Sequence, residues 1–227
     1  MCDALGYDRV TVGFQPQGPP VLDSLCFQVG QSERVALVGL NGSGKTTLLM
    51  ATVGLLEHQG TIRVCGQVVE PKSVESIRAR VGFLFNVPED QLLFPKVVDD
   101  TAFALLRRGM SAAQAKEKAR DVLERLGIGH LVDHPVHVLS HGQKQRVALA
   151  GALVTQPPVL LLDEPSAALD PRAKRNLAQL LRDQQAALLV ATHDLSFAEA
   201  ICTRYVLLEG GHIEYDGAEV SEVRRRL

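Results

Sequence analysis

The sequence lacks features that would place it in several other classes of protein. Lys and Arg together number 24 and Asp and Glu 26, a formal net charge of −2, so the basic excess of nucleic-acid-binding proteins is missing. Arg, Asp, Gln or His interrupts every apolar stretch before it reaches about 18 residues, so we expect no membrane-spanning helix. Residues 1–9 contain Asp3 and Asp8 and no apolar core, so we also expect no Sec-type signal peptide.

Paired cysteines are missing as well. The four cysteines lie far apart and form no CxxC pair, which argues against a disulfide framework or a zinc site; they are Cys2, Cys26, Cys65 and Cys202. This pattern favours reduced thiols in a cytosolic chain. With 227 residues, of which 46% are hydrophobic and 22% charged, the chain is long enough to bury a core as one large domain without such cross-links.

Four short apolar runs organise the chain, and each ends at a glycine or a polar residue. Continuous apolar runs of this length are typical of parallel strands buried on both faces. Helical patterns lie between them, so the sequence predicts an α/β fold with a parallel sheet. The runs are 34–38 before Gly39, 81–85 before Asn86, 159–162 before Asp163 and Glu164, and 188–192 before His193.

Three other segments have different patterns. Residues 8–33 alternate in polarity between Gly and Pro residues and predict an antiparallel β region, and residues 205–217 predict a hairpin around Gly210 and Gly211. Residues 95–156 show helical signals throughout and predict an inserted helical subdomain. Within it, Ser111 and Gln114 have the spacing of a capping box. An apolar helix face follows, made of Ala115, Ala119, Val122 and Leu126.

A glycine-rich segment follows the first predicted strand. Residues 39–46 match G-x4-G-K-[ST], in which backbone N–H groups and the next helix cradle phosphates. Lys45 would reach the β- and γ-phosphates, and the Thr46 hydroxyl would contact Mg²⁺. The predicted strand before the segment and an apolar helix over 48–56 after it favour this interpretation over an ordinary glycine-rich turn. The candidate nucleotide-binding residues here are Gly39, Leu40, Asn41, Gly42, Ser43, Gly44, Lys45, Thr46 and Thr47.

Two carboxylates and an imidazole follow other predicted strands. Ligands bind at the carboxyl ends of parallel strands, so we expect these groups to meet the phosphate segment. Asp163 is placed to hold Mg²⁺ through a water, and Glu164 to polarise the water that attacks a phosphoanhydride. His193 could contact the γ-phosphate or that water. The alternatives are two acids at a solvent-facing strand end and an exposed loop histidine.

A further anion site is predicted at residues 139–143, Leu-Ser-His-Gly-Gln, which open an apolar helix running to about Leu153. Ser140 and the nearby N–H groups would form its N-terminus, which attracts anions. The alternative is a plain helix cap supplied by Ser140.

Taken in order, these motifs resemble the nucleotide-binding subunits of ATP-binding cassette (ABC) transporters over residues 10–217. Walker A is 39–46, the signature is 139–143, Walker B is 159–164, the D-loop is 166–170 and the switch histidine is His193. The resemblance implies a phosphate-loop NTPase (RecA-like) fold in one domain over 1–227, with a catalytic core of 1–94 and 157–227 and a helical subdomain of 95–156.

The resemblance also implies cofactors and a second subunit. ATP and Mg²⁺ would be sandwiched between Walker A of one copy and the signature of another, in a homodimer or pseudo-dimer. Ser140, Gly142 and Gln143 would contact the nucleotide, Gln143 and Asp170 would lie at the shared interface, and Phe14 would stack on adenine.

Two residues depart from the family pattern. His141 stands where the signature usually has Gly, although Gly142, which must approach the phosphate, remains. Asn86 stands where the family has a Gln that touches Mg²⁺ and the attacking water, and it is about 1.5 Å shorter. It can make the same contact if the loop shifts or a water intervenes.

Residues 85–94 and 98–103 resemble the energy-coupling-factor branch of the family, which imports cobalt, nickel, biotin or other vitamins. The resemblance favours cobalt or nickel uptake, with integral-membrane subunits contacting residues 86–103 and the chain on the cytoplasmic face of the membrane. A vitamin importer, a soluble ABC ATPase acting on ribosomes or DNA, and a phosphate-loop kinase are the alternatives. No nucleic-acid partner is expected.

Overall fold

The computed structural model describes residues 3–14 and 18–227, which fold as two compact units. The first unit contains residues 1–81, 158–164 and 185–227, and the second contains 82–157 and 165–184. The second unit is thus wider than the predicted 95–156 subdomain. The difference arises because 82–94 and 165–184 pack with the helices, a long-range property that local periodicity does not reveal.

The described residues form ten strands and eight α-helices. The strands are β1 (Leu5–Val12), β2 (Leu22–Val29), β3 (Arg34–Val38), β4 (Gln59–Val64), β5 (Gln67–Val68), β6 (Val81–Leu84), β7 (Val159–Asp163), β8 (Ala187–Thr192), β9 (Arg204–Glu209) and β10 (His212–Gly217). The helices are α1 (Lys45–Thr52), α2 (Val74–Arg78), α3 (Val97–Arg107), α4 (Ala112–Arg125), α5 (His141–Leu153), α6 (Pro171–Arg182), α7 (Leu195–Ile201) and α8 (Val220–Arg226). Three 3₁₀ turns join them, at Pro88–Asp90, Gly129–Leu131 and Val136–Val138.

An antiparallel sheet in the first unit confirms the predicted β region. Its strand order is β2-β1-β4-β5, with Leu5 opposite both Val29 and Val64. The sequence analysis missed β4 and β5, which complete this sheet. Residues 15–17, inside the predicted region, lie outside the described part of the chain.

The first unit also holds three of the four predicted parallel strands, in the order β3-β8-β7, and β9 pairs parallel with β3. Every residue of β7 and β8 is buried, as their continuous apolar sequences require. The predicted hairpin is present, because β10 pairs antiparallel with β9. The helix after β3 spans Lys45–Thr52 rather than the predicted 48–56, since it starts directly at its Gly44 cap and stops before Gly54, whose φ is 64°.

Helices α3, α4 and α5 form the centre of the second unit. Ser111 caps α4 by accepting a hydrogen bond from the Gln114 N–H at 3.4 Å. The Gln114 side chain bonds to the Ser111 hydroxyl instead of its backbone N–H, so the predicted capping box is only half formed. Ala115 and Ala119 of the predicted face lie in the buried cluster between the helices, and Val122 packs against it. The cluster consists of Val98, Ala102, Leu105, Ala115, Ala119 and Val154.

Two general features concern the described residues only. None of the helices there is long and apolar enough to cross a membrane. That part of the chain also contains no group of three or more His, Cys, Asp or Glu residues that could hold a metal ion. Of the four cysteines, Cys2 lies outside the described residues, Cys26 is exposed and Cys202 is buried.

Candidate functional site

The glycine-rich segment joins β3 to α1 in the first unit. Gly44 is the N-cap of α1 with φ 103°, a left-handed conformation that favours glycine, and no side chain caps the first turn. The N–H groups of that turn are therefore available to an anion. Within the described residues, the buried hydroxyl of Ser43 has no hydrogen-bond partner. A buried polar atom without a partner is costly, so a phosphate oxygen would fit here.

Lys45 begins α1 and its side chain folds back over the segment. Its Nζ donates to the Gly39 carbonyl at 2.8 Å and the Leu40 carbonyl at 3.0 Å. Burial lowers the pKa of the Lys45 ammonium, and the charges of Glu164 and Asp163 offset part of that effect. The ammonium thus lies in a weakly hydrated place with uncharged acceptors, where an anionic ligand would bind it more strongly than in water.

Thr46 and Asp163 meet across 117 residues of sequence. The Thr46 hydroxyl donates to Asp163 Oδ2 at 2.6 Å, which joins the start of α1 to the end of β7. Burial raises the pKa of Asp163, the Thr46 hydrogen bond opposes this rise, and the charge of Glu164 adds to it. A hydroxyl and a carboxylate are oxygen ligands that suit Mg²⁺, which takes few ligands from the protein and several from phosphates and water.

Glu164 is held by the end of β8. Its carboxylate accepts hydrogen bonds from Thr192 Oγ1 at 3.1 Å, from the His193 backbone N–H at 3.1 Å and from His193 Nδ1 at 2.8 Å. Because the carboxylate accepts, Nδ1 carries the proton and directs it at Glu164. Glu164 has φ 49°, which is uncommon for a residue with a side chain and marks local strain of the kind found at active sites.

The second unit contains the predicted anion site at the start of α5. Ser140 is the N-cap and forms a complete capping box, in which its hydroxyl accepts from the Gln143 N–H at 3.3 Å. The Gln143 side-chain oxygen accepts from the Ser140 N–H at 2.8 Å. The cap that the alternative required is therefore present, and α5 ends at the predicted Leu153.

Gly142 and Asp170 belong to the same unit as this cap. A Cβ added at Gly142 would come within 2.7 Å of the Ala168 carbonyl oxygen, so glycine is required there by close approach. Asp170 is the N-cap of α6 and accepts hydrogen bonds from the backbone N–H groups of Arg172 and Ala173. These two bonds lower the pKa of Asp170, which is thus a charged helix cap in the single chain.

Asn86 and Phe14 belong to different units. Asn86 is exposed, two residues after β6, and belongs to the second unit. Phe14 belongs to the first unit, follows β1 and is 64% exposed, an unusual position for a large apolar side chain.

A model of the ABC transporter family matches residues 22–167, more than half of the chain. The chain belongs to the ABC transporter family. It is an ATP-binding subunit of that family and an ABC ATPase.

Relatives and solved structures agree with this assignment. The ABC ATPase is 44% identical over 205 residues to a Gloeobacter violaceus protein, covering 89% of this chain and 84% of the relative. It is 41% identical over 203 residues to one from Streptomyces coelicolor, covering 89% and 78%. Both relatives are named ABC transporter ATP-binding proteins, and that function was assigned to them by inference.

Two solved structures share the fold along almost the whole chain. One is CbiO1 from Clostridium perfringens, described as part of the ABC transporter complex CbiONQ, with a TM-score of 0.85, 28% identity and coverage of 100% of this chain and 92% of that one. The other is a dimeric ATP-binding cassette in a post-hydrolysis state bound to ADP and phosphate, with a TM-score of 0.86, 25% identity and coverage of 94% and 98%.

Sequence reasoning named most of the groups that meet in the first unit of this ABC ATPase, but it missed a supporting residue. Thr192 donates to Glu164 and accepts from the Asp194 N–H at 3.0 Å, so it orders both ends of the strand-to-helix turn. Its place beside His193 at the end of an apolar run was the signal that could have revealed it.

Proposed function

We propose that this ABC ATPase binds MgATP on residues 39–47 and hydrolyses it with Glu164 and His193 to energise import of a transition-metal ion, cobalt or nickel. The observation that carries the catalytic part is one connected cluster in the first unit, in which Thr46 bonds to Asp163 and Glu164 to His193. Phosphoanhydride hydrolysis needs a cation beside the phosphates, a carboxylate that holds the metal ion and a carboxylate that activates water, and here Lys45, Asp163 and Glu164 would fill these roles.

The phosphate groups of ATP would bind to the first-turn N–H groups of α1 and to Lys45. Lys45 would exchange the Gly39 and Leu40 carbonyls for phosphate oxygens, which are stronger acceptors for an ammonium group. Thr46 and Asp163 would hold Mg²⁺, with Asn86 as a further ligand. A Mg²⁺ ion held there would neutralise charge that develops on the phosphates. The exposed ring of Phe14 would stack on adenine.

Glu164 would accept a proton from the attacking water. Its carboxylate is oriented by Thr192 and His193, so the group needs little rearrangement before it acts. His193 Nδ1 donates to Glu164, so Nε2 would accept from the attacking water in the neutral ring and would donate to the γ-phosphate only when it carries a second proton. Because the His193 side chain is 66% exposed, either contact needs no rearrangement of the core.

A second copy, or a second cassette of the same family, would complete the site. The start of α5 offers backbone N–H groups beside Ser140 and Gly142, and with Gln143 they would face the nucleotide held by the other copy. Asp170 would lie at the same interface. The dimeric form of a related cassette, bound to ADP and phosphate, supports this arrangement.

Integral-membrane subunits would contact residues 86–103, and the chain would then lie at the cytoplasmic face of the membrane. Leu93 in this segment is 72% exposed and Val87 is 46% exposed. A groove of about 300 Å³ is lined by Leu93, together with Leu92, Phe94 and Val136. Exposed apolar side chains next to a groove favour a protein partner.

The cargo is inferred from likeness alone. Residues 85–94 and 98–103 resemble the energy-coupling-factor branch, and CbiO1, a part of the CbiONQ complex, has the same fold along the whole chain. Uptake of biotin or another vitamin is the nearest alternative within that branch.

Turnover tests the catalytic part. Lys45→Ala is expected to abolish ATP binding and hydrolysis, whereas Lys72→Ala, at an exposed lysine of the same unit that pairs with Glu70, should leave both unchanged. Near-normal turnover in Lys45→Ala would contradict the proposed phosphate site.

Isolation from mild detergent tests the transport part. A small membrane subunit and a cargo-binding membrane subunit should co-purify with the tagged chain, and vesicles containing this complex should take up radioactive cobalt or nickel when supplied with ATP. Uptake of biotin without uptake of cobalt or nickel would show that the cargo is a vitamin. Co-purification of ribosomal proteins in place of membrane subunits would favour a soluble ABC ATPase.

A further inference from the structure

The start of strand β2 lies against the glycine that begins α1. A Cβ added at Gly44 would meet Leu22 Cδ2 at 2.5 Å and the Val21 carbonyl oxygen at 3.2 Å. Leu22 is fully buried in a packed interior, so its side chain has little room to move away. Gly44 is the N-cap of α1, and the first-turn N–H groups that follow it would bind phosphate. The position of this first turn is therefore set in part by Val21 and Leu22.

The turn between β9 and β10 also lies against Val21. A Cβ added at Gly211 would come within 2.8 Å of the Val21 carbonyl oxygen and 3.5 Å of Leu22 Cα. The Asp23 N–H donates to the Gly211 carbonyl at 2.9 Å, which ties β2 to the turn. The Val21 carbonyl oxygen is thus close to two glycines, Gly44 of the phosphate segment and Gly211 of the turn.

The same hairpin contacts the other end of the phosphate segment. Gly39 follows β3, and a Cβ added there would collide with the Leu208 carbonyl oxygen of β9. The hairpin therefore supports the segment 39–46 at both ends, directly at Gly39 and through the start of β2 at Gly44. All of these residues belong to the first unit.

Gly211 differs from its neighbour Gly210 in its surroundings. Their φ angles are 84° and 54°, so both positions favour glycine. Gly211 is buried, whereas Gly210 is exposed, and a Cβ added at Gly210 would meet no atom of the described residues within 4 Å. The conformation of the turn explains glycine at both positions, and the close approach to Val21 distinguishes Gly211.

We propose that Gly211 is a positioning residue that holds the phosphate segment in place through the start of β2. A side chain at 211 would either shift Val21, which contacts Gly44, or force the turn away from β2 and weaken the Asp23 hydrogen bond. In each case the first turn of α1 changes position. This inference rests on the proposed function, in which residues 39–47 bind the phosphates of ATP. Gly211 acts through β2 and not through a contact with nucleotide.

Gly211→Ala and its matched control Gly210→Ala test this inference in the full chain. Titration with MgATP and with magnesium triphosphate, at a temperature where both variants are folded, measures the dissociation constants. Both constants should rise about tenfold in Gly211→Ala, because bonds to phosphate depend steeply on geometry and a misplacement of about 1 Å can cost about a hundredfold in catalysis. In Gly210→Ala they should stay within about twofold of wild type, although both alanines should lower the Tm because of positive φ.

Leu22→Val and Leu25→Val form a second matched pair, to be used if Gly211→Ala fails to fold. Both leucines are buried in β2, so the two changes remove the same methylene from the same strand. Of the two, Leu22 supplies the nearest side-chain contact of Gly44. Leu22→Val should raise both dissociation constants about fivefold, since the first turn of α1 is then less constrained, whereas Leu25→Val should leave them unchanged.

Several results would overturn the inference. Wild-type affinity in Gly211→Ala, or equal affinities in Leu22→Val and Leu25→Val, would show that these contacts do not position the phosphate segment. Equal losses in Gly211→Ala and Gly210→Ala would assign the effect to the conformation of the turn. Weaker binding of MgATP with unchanged binding of magnesium triphosphate would place the effect at the adenine. If the wild-type chain binds neither ligand, the proposed function itself fails.

Discussion

Replacing Glu164 by Gln should separate ATP binding from ATP hydrolysis. Two of the three hydrogen bonds to the carboxylate converge on Oε1, from the His193 N–H and Nδ1. An amide oxygen at that position can accept both. The new NH₂ would face Thr192 Oγ1, a hydroxyl that has acceptor capacity and lies 3.1 Å from Oε2. The local structure around position 164 in the variant should therefore resemble that of the wild type.

The expected magnitudes differ widely between the two functions. Stability and nucleotide affinity should change by no more than about 1 kcal/mol, the net value of one rearranged hydrogen bond. Turnover should fall by about 10²–10⁴, because an amide cannot take a proton from water and general-base catalysis typically contributes that factor. At 25 °C this corresponds to roughly 3–5 kcal/mol in the activation barrier.

Phosphate release, binding of a fluorescent ATP analogue and size-exclusion chromatography with light scattering measure these quantities. Glu164→Gln should bind MgATP, stall and accumulate as a dimer, while Glu214→Gln, the same change at an exposed residue of β10, should resemble the wild type. Turnover within about threefold of wild type would refute the role of Glu164 as base. A strictly monomeric protein with full activity would contradict the sandwiched dimer.

Three further substitutions probe separate parts of the molecule. Gly44→Ala places a side chain at φ 103° and 2.5 Å from Leu22, so nucleotide titration should show lost affinity and thermal melting a lower Tm. Asn86→Gln should keep or raise steady-state hydrolysis by restoring reach, and complete loss would mean that the loop is built around Asn. Tyr7→Phe removes a buried 2.9 Å hydrogen bond to Thr52, and urea unfolding should show about 1 kcal/mol of lost stability.

The local order of residues predicted the motifs and the strands that continuous apolar runs mark, but not β4 and β5. β3 matches its prediction, and β6, β7 and β8 match within one residue. β7 and β8 are buried on both faces, as their continuous apolar runs require, whereas every second residue of β6 is half-buried. The hairpin β9–β10 was also predicted from a local signal, the glycine pair at 210 and 211. Both glycines adopt positive φ in the structure.

The starts of helices were predicted where the sequence contains a side chain that can cap them. Ser140 and Gln143 form the full capping box that their spacing allows, whereas Ser111 and Gln114 have the same spacing and form only half of it. The start of α1 was placed three residues late, because its cap is Gly44, which contributes no side-chain signal.

The division into two units could not be predicted from periodicity. Residues 82–94 and 165–184 belong with the helices because of long-range packing, which the apolar pattern of each segment leaves undetermined. The sequence analysis likewise assigned residues 86–103, which include Gln91, to a partner contact and did not predict the hydrogen bonds of the Gln91 amide within the unit. A glutamine on a surface segment carries no sign of where its amide points, and only the folded chain shows both donors bonded to carbonyls.

The sequence by itself determined which chemical groups stand at the ends of the strands, because a phosphate segment, two acids and a histidine each follow an apolar run. Only the tertiary structure decided which of them touch. The Thr46–Asp163 and Glu164–His193 contacts join residues 117 and 29 positions apart. Such contacts depend on the order and register of strands in the sheet, which hydrogen bonding between distant segments sets and local sequence does not encode.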